Sequence, residues 1–458
     1  MVRCAPPSVE QTRGGSITVT HLDETSALID RALSRRTASA PEIPDVLDWG
    51  NARALACKEC GNETPLQPQH VCEFCFGPLE VVYDYDRIAA TTSRERIAAG
   101  PPTIWRYADL LPAPNVEWVD IGAGWSRLID APRLAAELGL KKLWLKFEGT
   151  NPTHSFKDRV VTVALTAARA FGFKVAACAS TGNLAGAVAA HAAASGMESV
   201  VFIPEGLEAG KVAAAAVYGG RLIAVKGSYD DVNRLCAELC GMKDDWAFVN
   251  VNVRPYYSEG SKTLGYEIAE QLGWRSPDAV IIPVASGSLL TKVKKGFGEL
   301  HTVGLLDEAP HTAIHGAQAD GCSPVARAFE EGADDFRPVK PDTIAKSLAI
   351  GNPADGYYAL RDVRATGGTV TRIPEESVAE GMKLLARTEG IFTETAGGVT
   401  IATLEKLIRE GAVTPDQETV ALITGVGLKT IEALGEVGPS HAIAANVEAV
   451  DRLLEGTR

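Results

Sequence analysis

An α/β protein built on parallel sheets is predicted by three observations. Between residues 160 and 255, apolar strand-like runs alternate with helical runs across short glycine turns. Three strand-like runs, Lys174 to Ala179 within that stretch and Ala279 to Val284 and Thr419 to Ile423 beyond it, pass directly into small polar loops, as strands do where they open onto a ligand. At 458 residues, with 46% hydrophobic and 22% charged residues, the chain has the composition of a soluble globular enzyme of two or three domains.

Residues 1 to 50 lack periodicity and are rich in Ser, Thr, Arg and Pro, which predicts a flexible arm. Residues 51 to 85 carry Cys57-Lys58-Glu59-Cys60 and Cys72-Glu73-Phe74-Cys75, eleven residues apart, and end in the strand-like Leu79 to Tyr83. That spacing suits four thiolates around a tetrahedral zinc ion with no open position, hence a structural site. Metal-free knuckles packing as small apolar contacts are the alternative, and disulfides do not suit a reducing compartment. Cys4, Cys178, Cys236, Cys240 and Cys322 show no metal spacing.

Ser155-Phe156-Lys157-Asp158-Arg159 precedes the apolar Val160, Val161, Val163, Ala164 and Leu165. Ser155 reads as the N-cap and Asp158 as its acidic partner three residues on. Lys157 then lies in the first helical turn, beside a positive helix end that favours a phosphate or carboxylate. A lysine at a helix start is by itself a solvated charge; the loops downstream change its meaning. These are Ser180-Thr181-Gly182-Asn183, Ala285-Ser286-Gly287-Ser288-Leu289 and Thr424-Gly425-Val426-Gly427, each at a strand end with amides and hydroxyls able to cradle an anion. Across the alternating region the pattern predicts helix to Phe171, strand to Ala179, helix to Ser195, strand Ser199 to Pro204, helix to Tyr218, strand Arg221 to Val225, helix Ser228 to Cys240 and strand Trp246 to Val251.

The net charge of -13 argues against nucleic-acid binding, so an anionic ligand has to be drawn by local positive groups. Met1 to Gly15 has no signal-peptide core and no apolar run is long enough to span a bilayer; cytoplasmic residence without a membrane partner is expected. There is no internal repeat or low-complexity tract.

Six motifs stand out together: Asn151 to Arg159, Ser180 to Asn183, Tyr256 to Thr263, Lys346 to Pro353, Thr393 to Gly398 and Thr424 to Lys429. On these, from about Cys57 to about Thr430, the sequence resembles the threonine synthases, pyridoxal-phosphate enzymes of the tryptophan-synthase-β-like fold (fold type II). The resemblance implies two three-layer α/β domains with the cofactor in the cleft, plus the zinc-knuckle region. The large domain would use 86–159 and 256–436, the small one 160–255, with 437–458 as a tail. It implies that Lys157 forms the Schiff base with pyridoxal 5'-phosphate and shuttles protons, and that Asn183 bonds the cofactor's phenolic oxygen. Ala285, Ser286, Gly287, Ser288 and Leu289 would hold the cofactor phosphate, and Thr424 would face the pyridine nitrogen, where a hydroxyl need not keep that nitrogen protonated. The implied reaction converts O-phospho-L-homoserine and water to L-threonine and phosphate. A same-fold lyase or β-replacement synthase, threonine dehydratase-like or phosphoserine-using, is the alternative; a zinc-ribbon binding protein with an inactive large domain is a second. A homodimer is left open.

The chain departs from the family pattern in places. Gly122 to Leu128 replaces the usual G-E-G-x-T-P-L, the phosphate loop lacks the common G-N-x-G-N, and Tyr257 occupies a position that is arginine in many members, with Arg254 three residues upstream. Substrate contacts therefore fall to Ser155, Arg159, Ser180, Thr181, Gly182 and Arg254 as candidates.

Overall fold

The computed structural model describes residues 46–180, 182–435 and 438–455. Three sheets organise them. Strands β1 (Ala52–Cys57), β2 (Glu63–Thr64) and β3 (Leu79–Tyr83) form a small antiparallel sheet in the order β2-β1-β3. Two strands then enter the largest sheet, β4 (Arg127–Asp130) and β5 (Lys142–Phe147), followed by helix α1 (Lys157–Ala170). The third sheet comes next, from β6 (Val175–Ala179), helix α2 (Asn183–Ser195), β7 (Glu198–Pro204), β8 (Arg221–Val225), helix α3 (Tyr229–Cys240) and β9 (Trp246–Phe248). Its order is β8-β7-β6-β9 and every pairing is parallel.

Helices α4 (Arg254–Glu259) and α5 (Thr263–Gln271) return the chain to the large sheet, which continues with β10 (Ala279–Pro283), helix α6 (Ser288–Thr302), β11 (Ala313–Ala319), helix α7 (Gly356–Ala365), β12 (Val370–Ile373), helix α8 (Thr395–Arg409) and β13 (Glu418–Ile423). The order is β12-β11-β10-β13-β5-β4, parallel except for β4, which runs antiparallel to β5. With helices on both faces, the central strands β6 and β10 are buried at every residue, which is why they read as unbroken apolar runs.

Some local expectations change. The predicted strand to Val251 ends at Phe248, and the helix predicted to Tyr218 is Ala209–Ala216. Helix α3 has the predicted start, with Ser228 and Asp231 in a reciprocal capping box. Of the predicted arm, residues 1–45 lie outside the described residues, but Trp49 is buried, stacked on Tyr256 with ring centroids 5.2 Å apart. The amphipathic signal there is one aromatic side chain, too sparse to register as periodicity.

Helix α1 is held by a buried charge cluster. Arg159, fully buried, donates from Nε to Glu148 Oε2 at 2.6 Å and from Nη1 to Glu267 Oε1 at 2.5 Å; Lys146 Nζ reaches Glu267 Oε2 at 2.7 Å. Two cations face two carboxylates, so the cluster is neutral. Burial alone would push the Glu267 carboxyl up, yet Arg159 and Lys146 hold it well below the usual carboxylate range. On its other side α1 meets α4 through Gly260, where a Cβ would come within 2.4 Å of the Arg159 carbonyl oxygen. A second buried cluster joins α4 and α6 to β3: Glu259 accepts from Lys262 at 2.6 Å and from Lys292 at 2.5 Å, with Glu80, Lys295 and Glu299 around them.

Glu267→Ala leaves Arg159 and Lys146 buried without their shared carboxylate. The expected loss is about 3–5 kcal/mol of unfolding free energy, read by denaturant titration of the cofactor-free protein. Glu117→Ala, which removes the exposed partner of Arg169, should cost under about 1 kcal/mol. Equal effects would mean that the cluster does not anchor the helix.

Candidate active site

The carboxyl ends of β6, β10 and β13 open onto one cavity, lined among others by Lys157, Asn183, Ser286, Arg254 and Thr424. Four helices start at it: α1 with Lys157, α2 with Asn183, α6 with Ser288 and α8 with Thr395. Their exposed N–H groups and positive dipole ends make the cavity anion-attracting inside an acidic protein.

The lysine is fixed by backbone. Phe156 N–H donates to the Thr424 carbonyl at 3.1 Å, and Ser155 and Gly425 form a single β-bridge, so the start of α1 is tied to the end of β13. Lys157 Nζ lies 3.0 Å from the Tyr257 hydroxyl. Burial lowers the amine's pKa from 10.5 to about 8, with the charge of Glu394 pulling the other way. Burial also pushes the Tyr257 phenol up, so it remains neutral beside the amine.

Opposite the lysine, side chains form a directed chain. Lys429 Nζ donates to Asn183 Oδ1 at 3.0 Å, Asn183 Nδ2 donates to Glu394 Oε2 at 2.8 Å, and Thr424 Oγ1 donates to Glu394 Oε1 at 3.0 Å. The loop Ala285 to Leu289 runs into α6, with Gly287 as N-cap at φ 91°. A Cβ on Gly287 would meet the Asp355 carbonyl oxygen at 2.7 Å, and Asp355 N–H donates to the Ser286 carbonyl at 2.8 Å. The backbone of this loop is therefore held open by a glycine that nothing else can replace.

Several candidates are placed elsewhere than expected. Ser155 is not the N-cap; Phe156 holds that position without a side-chain cap, and the Ser155 hydroxyl is buried with no partner. Asp158 instead accepts from Thr153 N–H at 2.8 Å and from Thr153 Oγ1 at 2.9 Å, and contacts His191 Nε2 at 2.9 Å. Arg159 points into the charge cluster and is unavailable to substrate. Its partners lie 11 and 108 residues away, beyond any local pattern. Ser180 uses its oxygen to accept from Gly182 and Ala185 N–H, capping its own turn at the cavity wall; Thr181 lies outside the described residues. Arg254 does line the cavity, paired with Asp355 at 2.5 Å. The departing segment after Gly122 is structural: Trp125 and Ser126 N–H groups donate to Glu267 at 2.7 and 3.1 Å.

Glu394, Tyr257, Lys429 and Ser347 are the residues that sequence reading did not put in the site. Ser347 Oγ is buried at the cavity wall without a partner. All four lie in or beside the quoted motifs, which was the only signal available. Near the small sheet, the sulfurs of Cys57, Cys60, Cys72 and Cys75 all lie within 4.8 Å of one another, with Cys57 and Cys75 at 3.4 Å and Cys60 and Cys72 at 3.7 Å.

In cofactor-free protein, Lys157 should react with an amine-directed reagent along a curve with midpoint near pH 8, rising as pH rises because the neutral amine is the nucleophile. Exposed lysines should follow with midpoints about two units higher. Peptide mapping across pH checks this; a Lys157 midpoint equal to that of exposed lysines would overturn it.

The sequence matches the family described as pyridoxal-phosphate dependent enzyme over residues 119–425. The threonine synthase of Methanocaldococcus jannaschii is 40% identical over 398 residues, covering 86% of this chain and 95% of that one. The threonine synthase of Methanosarcina acetivorans is 37% identical over 88% of this chain and 98% of its own length. Among solved structures, a diaminopropionate ammonia lyase from Escherichia coli superposes with a TM-score of 0.59 over 69% of this chain and 89% of that one, at 20% identity, which speaks to the fold alone. Taken with a half-buried amine at the strand ends and a glycine-opened loop lining the same cavity, these matches mean that the chain belongs to the pyridoxal-phosphate dependent enzymes, and within them to the threonine synthase family.

Proposed function

We propose that the protein converts O-phospho-L-homoserine and water to L-threonine and phosphate. The observation that carries this is the half-buried Lys157 amine, with its lowered pKa, lining a cavity ringed by four helix starts, in a chain 40% identical to a threonine synthase across 86% of its length.

The residues fit pyridoxal phosphate. The glycine-opened loop Ser286 to Leu289 at the start of α6 offers backbone N–H groups to a phosphate, and the serine hydroxyls add donors. Asn183 retains a second Nδ2 hydrogen for the phenolic oxygen, and Thr424 is the residue at the ring nitrogen. When bound, the cofactor supplies an electron sink conjugated to the substrate's α carbon. Lys157 then does the proton work. Its amine works on one proton at a time: it takes one from the α carbon and, once relieved of it, one from the β carbon. Phosphate leaves the γ carbon, one proton returns to γ, water adds its hydroxyl at β and gives its proton to the released phosphate, and the other proton returns to the α carbon. The Tyr257 hydroxyl orients the amine between these atoms.

Lys157 and Arg254 are the cations lining the cavity among the described residues, so Arg254 is the group to meet the substrate's phosphate. The Ser347 hydroxyl, buried and unpartnered, supplies a second donor. Purified enzyme should release phosphate from O-phospho-L-homoserine and form threonine, and should not act on homoserine, phosphoserine or threonine. Arg254→Gln should lower kcat/KM about ten- to a hundredfold, mostly through KM, as the loss of a charged hydrogen bond predicts. Ammonia release from threonine or phosphoserine instead would assign a same-fold lyase activity.

The four knuckle sulfurs suit zinc. An ion bonded at about 2.3 Å sets tetrahedral sulfurs a little under about 4 Å apart, which the 3.4 and 3.7 Å separations approach. The amides of Glu59 and Phe74 lie 3.4 Å from the sulfurs of Cys57 and Cys72, ready to stabilise thiolates. The reduced state that such a site needs supports a cytoplasmic location. Cys60→Ser should lower zinc content and thermal stability while the remaining folded fraction keeps its cofactor. Elemental analysis that finds no zinc in the native protein would overturn the assignment.

A further inference from the structure

The directed hydrogen bonds beneath the cavity fix which protons are free to meet the cofactor, and this deepens, and rests on, the reading of Thr424 as the residue at the ring nitrogen. Lys429 carries only donors, so the atom of Asn183 that it contacts at 3.0 Å is the amide oxygen. The Asn183 NH₂ group must then point to Glu394, and it does, at 2.8 Å. Glu394 is buried, and its second oxygen receives the Thr424 hydroxyl at 3.0 Å. Each carboxylate oxygen accepts, as an ionised carboxylate must. Glu394 lies close against Gly425, where a Cβ would meet its Oε1 at 2.7 Å, and it sits at the start of α8, where the helix dipole favours its charge.

The single hydroxyl proton of Thr424 is thereby committed to Glu394. What Thr424 presents to the cavity is lone pairs, an acceptor and not a donor. We infer that Glu394, acting through Thr424, selects the protonated form of the cofactor's ring nitrogen, making Glu394 a positioning residue that tunes the electron sink. The ring nitrogen takes its proton from solvent and keeps it, and Thr424 keeps its own. This reverses what a hydroxyl at that position suggests when read alone: a threonine backed by a carboxylate behaves as the carboxylate's relay. The same array leaves Asn183 with a free N–H, so the pair offers an acceptor at one end of the ring and a donor at the other, complementary to a protonated nitrogen and an ionised phenolic oxygen.

The test is ¹⁵N NMR of holoenzyme reconstituted with cofactor labelled at the ring nitrogen. Wild type should give the resonance of a protonated pyridine at neutral pH. In Glu394→Gln, Asn183 is still oriented by Lys429, so the new amide must turn its oxygen to Asn183 and its NH₂ to Thr424. The threonine proton is then released toward the ring, and the resonance should move to the unprotonated position. Thr424→Val, which removes the acceptor, should move it likewise, and Thr424→Ser should leave it unmoved. An unprotonated wild-type nitrogen overturns the inference, as does a Glu394→Gln signal identical to wild type. If Glu394→Gln does not hold cofactor, wild type with the two Thr424 variants decides. Phosphate release from O-phospho-L-homoserine by the same wild-type sample separates the outcomes: a protonated nitrogen without release sinks the substrate assignment and leaves this one standing.

Discussion

The buried pairing of Arg159 with Glu148 and Glu267 is the constraint on which the site depends. Lys157 is two residues from Arg159 on the same helical turn, so the direction of the amine follows from where the guanidinium is locked. Glu148 directly follows β5, Glu267 lies on α5, and Lys146 and Ser126 complete the shell. One side chain therefore ties together a large-sheet strand, a helix of the returning chain and the helix that carries the reactive amine. Bidentate geometry matters here: a lysine at 159 could not meet both carboxylates in fixed directions.

A second constraint comes from backbone close approach. Gly260 brings α4 against α1, which sets Tyr257 beside Lys157, while Gly287 brings the loop before α6 against Asp355, which in turn pairs with Arg254. Positions of catalytic interest are thus set by atoms that are absent, two missing Cβ groups, as much as by contacts made. The knuckles join the same framework through Glu59 and Lys58, both of which contact Tyr358 on α7.

Much of the candidate site was legible in the sequence because its residues stand at strand ends and line one cavity. Lys157, Asn183, the loop Ala285 to Leu289 and Thr424 each follow a strand or open a helix, and small polar residues after an apolar run announce such places. The four cysteines were legible from spacing alone. Arg159 was not, because local pattern cannot distinguish a helical arginine that faces solvent from one that meets carboxylates far along the chain. Ser155 misled for a related reason: a serine before a helix reads as a cap, yet here its backbone is taken by a bridge to Gly425. Glu394 escaped because a glutamate preceding a helix resembles an ordinary helix start, and only the tertiary fold turns its side chain toward Asn183 and Thr424.

The neutrality of the two buried clusters has a consequence for how substrate arrives. Lys146 and Arg159 balance Glu148 and Glu267, and Lys262, Lys292 and Lys295 balance Glu80, Glu259 and Glu299, so none of the net charge of -13 is stored in them. It resides on the remainder of the chain. A phosphorylated amino acid thus diffuses through a repulsive outer field before it feels the helix starts within. Added salt, which screens the outer field over about 10 Å and leaves the enclosed dipoles nearly untouched, should quicken encounter and not slow it, the opposite of the behaviour of enzymes that gather anions with a basic surface.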